Sequence, residues 1–86
     1  NIDMATDQQN KQIDQLTQLL KSDQELIQVR ERITKTSASK LENGMITTAD
    51  YIQDLNAETT ARLLLETRKI QLKEAQIKLA NIRGNQ

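Results

Sequence analysis

The residues best suited to chemistry in this chain are three carboxylates, Asp50, Asp54 and Glu58. Their four-residue spacing would place them on one face of a helix, where carboxylates can act as an acid–base pair or hold a hard cation. The surrounding sequence supplies no glycine-rich loop and no pocket that would tune their pKa values. We therefore interpret them as acidic residues that stabilise the first turns of a helix.

The rest of the composition argues against catalysis and against cofactors. The 86 residues include no His and no Cys, which removes the commonest general base, the thiolate ligands and the cysteine nucleophile. No phosphate-binding loop or metal-ligand spacing is present, so we expect no enzyme, no metal and no other cofactor. Twelve basic and twelve acidic residues balance to a net charge of zero, which gives no electrostatic footprint for nucleic acid. No apolar run approaches the roughly 20 residues that cross a bilayer, so we expect no direct membrane contact by this segment.

The elements that carry these residues are predicted to be two long helices. With 36% hydrophobic residues, 28% charged residues, one Tyr and no Pro, the chain suits amphipathic helices better than a thick globular core. We predict an all-α fold, an antiparallel two-helix coiled-coil hairpin that occupies residues 1–86 as a single unit. Its first helix is expected over about 7–43, after a frayed start, and its second over about 48–83, ending before Gly84. The opening residue is Asn1 and not Met, which we interpret as the mark of a segment from a larger protein.

A turn is predicted over residues 43–47. Gly44 suits the left-handed position just past a helix end. Thr47 and Asp50 have the spacing of a capping box at the start of the second helix, while Ile46 and Tyr51 have that of a hydrophobic staple.

Each predicted helix carries two apolar stripes with a seven-residue repeat. We name each stripe after its first residue: the Ile13 stripe (Ile13, Leu20, Ile27), the Leu19 stripe (Leu19, Leu26, Ile33), the Leu63 stripe (Leu63, Ile70, Ile77) and the Leu65 stripe (Leu65, Leu72, Leu79). The Leu65 stripe is accompanied by Ala61, Ala75 and Ile82 at coiled-coil spacing.

A two-helix hairpin can bury only one stripe of each helix. Our hypothesis pairs the Ile13 stripe with the Leu63 stripe and leaves the Leu65 stripe for a neighbouring helix; the Leu19 stripe against the Leu65 stripe is the other antiparallel pairing. Rows of exposed leucine promote association with other apolar surfaces. We therefore expect either a larger helical assembly or self-association of the isolated hairpin as a four-helix bundle.

The run from Lys40 to Ile52, continued by the run from Leu55 to Glu66, resembles the C-terminal helical repeat of the TolC-like outer membrane efflux proteins. In that family a long helix ends in a turn with the pattern x-x-G-x-[IV]-[ST], and a capped second helix follows. The resemblance is dense over residues 40–82 and is limited to length and pattern before that. It implies that this chain is the C-terminal hairpin of a periplasmic α-helical tunnel, within a channel that is trimeric, lies partly in the outer membrane and serves a tripartite efflux or secretion system.

By the same resemblance, the turn is the inner tip of the tunnel and contacts a periplasmic adaptor protein. The implied partner-binding residues are Glu42, Asn43, Gly44, Met45, Ile46 and Thr47. Leu41 stands where many members have Tyr, and Ile46 where some have Arg, so we expect an apolar contact between tips in place of a polar one.

Two other classes of protein remain as alternatives to the channel. A periplasmic adaptor (membrane fusion) protein also contains a helical hairpin, flanked by lipoyl-like β segments, and a generic coiled-coil scaffold would show the same periodicity. Flanking strands of about ten alternating residues would favour the channel.

Overall fold

The structure, a computed structural model, describes residues 1–84 and consists of two long α-helices. Helix α1 spans Ile2–Glu42 and helix α2 spans Thr48–Gly84. They run antiparallel along each other and form a rod of 65 × 14 × 12 Å. The predicted all-α hairpin is confirmed.

The helix ends differ from the predictions at both extremities. Helix α1 begins at Ile2 because Asn1 caps it: the Asn1 Oδ1 atom accepts a hydrogen bond of 2.9 Å from the Met4 backbone N–H. The predicted frayed start before residue 7 is therefore wrong. Gly84 was expected past the end of α2, but it is the last described residue of that helix and its φ is not left-handed.

The hairpin turn forms as predicted, through local hydrogen bonds. Gly44 has φ of +69°, a conformation that glycine adopts without a steric penalty. The Gly44 N–H donates to Leu41 O at 3.0 Å and the Met45 N–H donates to Lys40 O at 2.8 Å, which is the Schellman pattern that closes a helix. At the start of α2, the Thr47 N–H donates to Asp50 Oδ2 at 3.0 Å and the Asp50 N–H donates to Thr47 Oγ1 at 3.1 Å. This reciprocal pair confirms the capping box.

The two helices meet along one continuous row of buried and half-buried residues that we call the seam. Its members alternate in steps of three and four residues, the spacing of a coiled coil. On α1 the seam consists of Gln9, Ile13, Leu16, Leu20, Asp23, Ile27, Arg30, Thr34, Ser37 and Leu41; on α2 it consists of Tyr51, Asp54, Glu58, Ala61, Leu65, Arg68, Leu72, Ala75, Leu79 and Ile82.

The seam corrects the predicted pairing of stripes. The Ile13 stripe faces α2 as expected, but it meets the Leu65 stripe, while the Leu63 stripe is 51–64% exposed. A seam needs suitable residues at two positions in every seven. The Leu65 stripe has Ala61 and Ala75 in such positions, which let the helices approach closely, and the charged Arg68 in another is paired with Asp23 across the seam. The Leu63 stripe has charged residues such as Glu66 and Lys73 in the intervening positions, and rotating it inward would bury them.

Candidate partner-binding tip and exposed apolar stripes

The tip residues predicted from the sequence lie at one end of the rod and are largely accessible. Glu42, Asn43, Gly44 and Thr47 are exposed, and Ile46 is half-buried. Met45 is 69% exposed, the largest exposed fraction among the large hydrophobic side chains of residues 1–84. Only the backbone of Met45 takes part in the hydrogen bonds of the turn. Its side chain is not needed for the reversal of the chain. The geometry therefore presents a thioether side chain at the apex, and such side chains adapt to many apolar partners.

Two further apolar residues lie close to the tip and were missed by the sequence-based site. Ile52 and Leu55 are exposed and stand three residues apart in the first turns of α2, hence on one face. Neither belongs to a seven-residue stripe, and the turn motif does not include them. They can be recognised once the seam is known, because they are apolar residues of α2 that occupy no seam position. They add exposed apolar side chains to the first turns of α2, next to the tip.

The three carboxylates each have a different structural partner. Asp50 belongs to the capping box, and hydrogen bonds from the backbone N–H and then the hydroxyl of Thr47 lower its pKa below the usual 3.8. Asp54 lies in the seam, where its carboxylate accepts a hydrogen bond from the Ser37 hydroxyl and its backbone oxygen accepts one from Thr34 Oγ1 at 3.4 Å. The acidic cluster that the four-residue spacing suggested is thus divided between a cap and a helix–helix contact. Within residues 1–84, no group of three or more potential ligands could hold a metal ion.

Glu58, the third carboxylate, joins an ion-pair cluster across the two helices. Arg62 donates to Glu58 Oε2 from Nε at 3.0 Å and from Nη2 at 2.8 Å, and the same Nη2 contacts Glu31 Oε1 on α1. The nearby Thr34 hydroxyl and then the hydrogen bonds from Arg62 lower the pKa of Glu58 below its usual 4.5. The carboxylates of Glu31 and Glu58 raise the pKa of Arg62. The cluster ties the tip-proximal turns of both helices together.

Two more polar contacts occupy the seam farther from the tip. Arg68 Nε donates to Asp23 Oδ2 at 3.0 Å, with the side chains of Asp23 and Arg68 only 8% and 20% exposed. Gln9 Nε2 donates to the backbone oxygen of Ala75 at 2.9 Å, in a buried position. The apolar stripes do not include these residues, because a stripe consists only of hydrophobic side chains. Their signal was the spacing, since Gln9 and Asp23 continue the three-and-four alternation through Ile13.

The helix-packing residues predicted from the four stripes separate into seam and surface. The Ile13 and Leu65 stripes lie in the seam, and the Leu63 stripe lies on the outside of α2. The Leu19 stripe borders the seam on α1 and is 36–42% exposed. The hairpin therefore offers apolar surface on two faces as well as at its tip.

Neither helix, over the residues that the structure describes, contains a stretch apolar enough to cross a membrane. Comparison of the chain with protein-family models, with curated proteins and with solved structures finds no match in any of the three.

Proposed function

We propose that this chain is a wall segment of the periplasmic α-helical tunnel of a TolC-like outer membrane channel, in a tripartite efflux or secretion system, and that its tip contacts a periplasmic adaptor protein. The observation that carries the proposal is the distribution of apolar surface. Helix α2 faces α1 with the Leu65 stripe and keeps the Leu63 stripe on its opposite side. A helix in the wall of a tunnel has a neighbour on each side, and each contact needs an apolar stripe.

The resemblance of residues 40–82 to the TolC-like repeat supports the same proposal independently of the stripes. The turn motif that carries the resemblance includes Gly44, Thr47 and Asp50, and each has a structural role in reversing the chain. The motif therefore accounts for the shape of the tip. The accessible side chains of Glu42 and Met45 have no such role and are free to contact a partner.

The role proposed for the tip is a contact that is mainly apolar. Met45, Ile46 and Ile52 supply apolar side chains, and the exposed Glu42 and Asn43, which precede them in the turn, supply polar ones. Interfaces commonly combine a central apolar anchor with a polar edge. An adaptor tip that fits this surface would present apolar side chains opposite Met45 and hydrogen-bonding groups opposite the rim.

The test uses the full-length protein that contains this segment. Met45→Glu should leave assembly intact and impair transport, because it places a charge in the apolar centre of the tip contact. Met4→Glu is the matched control: it changes another exposed methionine, 60% exposed, at the opposite end of the hairpin. The proposal predicts lost transport and lost crosslinking to the adaptor for the first variant alone. Normal transport with Met45→Glu, or equal loss in both variants, would refute the tip contact.

The sequence on either side of the segment separates the channel from the other hairpin proteins. Flanking strands of about ten alternating residues are expected for a channel whose barrel lies in the outer membrane. Lipoyl-like β segments on both sides would instead assign the hairpin to an adaptor, and the tunnel proposal would then be wrong.

A further inference from the structure

Two apolar stripes have no partner within the hairpin, and they lie on different faces. Each residue of the Leu19 stripe directly precedes a seam residue, so this stripe borders the seam on α1. Leu63 lies midway between the seam residues Ala61 and Leu65, which turns the Leu63 stripe away from α1, since two residues correspond to about 200° around a helix. The two stripes of one molecule are therefore unable to meet each other.

We propose that the Leu19 stripe of one copy of this chain packs against the Leu63 stripe of a second copy, with the two contacting helices antiparallel. Both stripes consist of three large aliphatic residues at seven-residue intervals, so three apolar layers can form at once. The layers pair Leu19 with Ile77, Leu26 with Ile70 and Ile33 with Leu63.

The charges beside the two stripes are complementary in this register. Glu25 and Arg32 each directly precede a residue of the Leu19 stripe, and Lys73 and Glu66 each follow a residue of the Leu63 stripe by three positions; all four are exposed. In an antiparallel contact these positions fall on the same side, so Glu25 meets Lys73 and Arg32 meets Glu66. Glu66 also accepts a hydrogen bond of 3.2 Å from Lys69 within α2. The pair of Lys69 and Glu66 is exposed, and the Glu66 carboxylate can bind both Lys69 and Arg32 of the other copy.

The same charges disfavour the neighbouring registers. Sliding one helix by seven residues preserves two of the three apolar layers. In one direction the slip places Glu25 beside Glu66, and in the other it places Arg32 beside Lys73. Like charges at such a contact are repulsive, so the register with three apolar layers is also the one that charge selects.

This contact joins two different faces, and it therefore does not close on itself in a dimer. After two copies associate, one Leu19 stripe and one Leu63 stripe remain uncovered, and further copies can add. Within the hairpin, the contact of Asp23 with Arg68 sets Leu26 level with Leu65. Pairing Leu26 with Ile70 of the next copy therefore displaces that copy by about 7.5 Å along the helix axis. The expected product is an open stack, whose existence does not depend on the tunnel proposal.

Disulfide crosslinking of the purified chain tests the geometry, because the chain contains no native Cys. Leu19→Cys mixed with Ile77→Cys should crosslink between chains several-fold faster than Leu19→Cys mixed with Leu63→Cys, the pair that a parallel contact would bring together. Each variant alone should crosslink with itself slowly. Equal rates in the two mixtures, or fastest crosslinking of Leu19→Cys with itself as in a symmetric four-helix bundle, would overturn the proposal.

A charge exchange tests the register without touching an apolar residue. Glu25→Lys should lower the average mass in sedimentation at a fixed concentration, and Glu25→Lys combined with Lys73→Glu in the same chain should restore it. Lys21→Glu is the matched control, since Lys21 is exposed and lies two positions after Leu19, on nearly the opposite side of α1. Failure of the double variant to recover mass, an equal effect of Lys21→Glu, or a monomeric wild-type chain at all concentrations would overturn the proposal.

Discussion

The two halves of the seam hold the same pair of helices together by different means. Far from the tip, from Ile13 to Ile27 on α1, most layers are aliphatic and face the Leu65 stripe. Near the tip, from Arg30 to Ser37, the contacts are polar: Thr34 and Ser37 donate to Asp54, and Glu31 accepts from Arg62, which also binds Glu58. The first half gains stability from apolar burial, and the second from directional hydrogen bonds.

The difference between the halves concerns register as well as stability. Aliphatic layers that repeat every seven residues fit equally well after a slip of seven, so they specify alignment weakly. The polar contacts of Asp54 with Ser37 and of Arg62 with Glu31 exist in a single alignment. The tip half thus fixes the register next to the turn, where the chain reverses. Farther from the tip the seam contains two polar contacts of the same kind, the pair of Asp23 and Arg68 and the hydrogen bond from Gln9 to the Ala75 backbone oxygen.

The largest effect is expected from an aliphatic residue of the distal half. Ile27 is 7% exposed, and Ile27→Ala should lower the free energy of unfolding by about 2–4 kcal/mol through lost burial and a residual cavity. Ile70→Ala is the matched control, because the same truncation at a residue that is 60% exposed should cost less than about 0.5 kcal/mol. Urea unfolding at a concentration low enough for the monomer would check both values. Similar losses in the two variants would contradict the assignment of the seam.

The next effect tests the polar pair within the aliphatic half. Asp23→Leu leaves Arg68 without its carboxylate and should lower the free energy of unfolding by about 2 kcal/mol, less than for a fully buried pair because Arg68 keeps contact with water. Asp23→Leu with Arg68→Leu should recover most of the loss, since apolar replacement of both partners is often neutral. A double variant as unstable as the single one would show that Arg68 contributes by packing and not by pairing.

A smaller effect is expected at the turn that both halves share. Gly44→Val should destabilise the hairpin by about 1–2 kcal/mol, because a β-branched residue is strained at φ of +69°. Apart from Gly44 itself and its two chain neighbours, no atom lies within 4 Å of a Cβ placed there, so backbone strain alone produces the loss. Gly44→Asn is the control, since Asn tolerates left-handed φ better than Val. Thermal unfolding would measure both, and an unchanged midpoint for Gly44→Val would contradict the role given to the turn.

The sequence predicted the turn and the hairpin because their determinants are local. Gly44, Thr47 and Asp50 act on backbone groups within a few residues, so their spacing alone specifies the conformation. The choice between the Leu63 and Leu65 stripes depends on the other helix, and both stripes have the same periodicity. Counting large aliphatic residues favoured the wrong stripe.

The polar part of the seam was harder to predict for a related reason. Asp23, Thr34 and Ser37 are acceptable on a solvated helix surface, and only their partners on α2 give them a place in the seam. The continuous three-and-four spacing that both helices share is the sequence feature that indicates it. The tip surface was predictable as a location, whereas the contribution of Ile52 follows from knowing which face of α2 is already occupied.

The smallest expected effect is a difference between the two halves in how their local stability depends on pH. The hydrogen bonds of Glu58 lower its pKa below the ordinary 4.5, so its contribution to stability is complete above that value and is lost as the pH falls through the lower pKa of the folded state. Acidification should therefore raise amide hydrogen exchange near Thr34 and Ser37 before it does so near Leu16 and Leu20, where aliphatic layers do not titrate. Glu58→Gln should remove part of this pH dependence, since the amide does not ionise. If exchange rose equally along both halves of the seam, or if Glu58→Gln left the profile unchanged, the tip half would not depend on the ionised carboxylate.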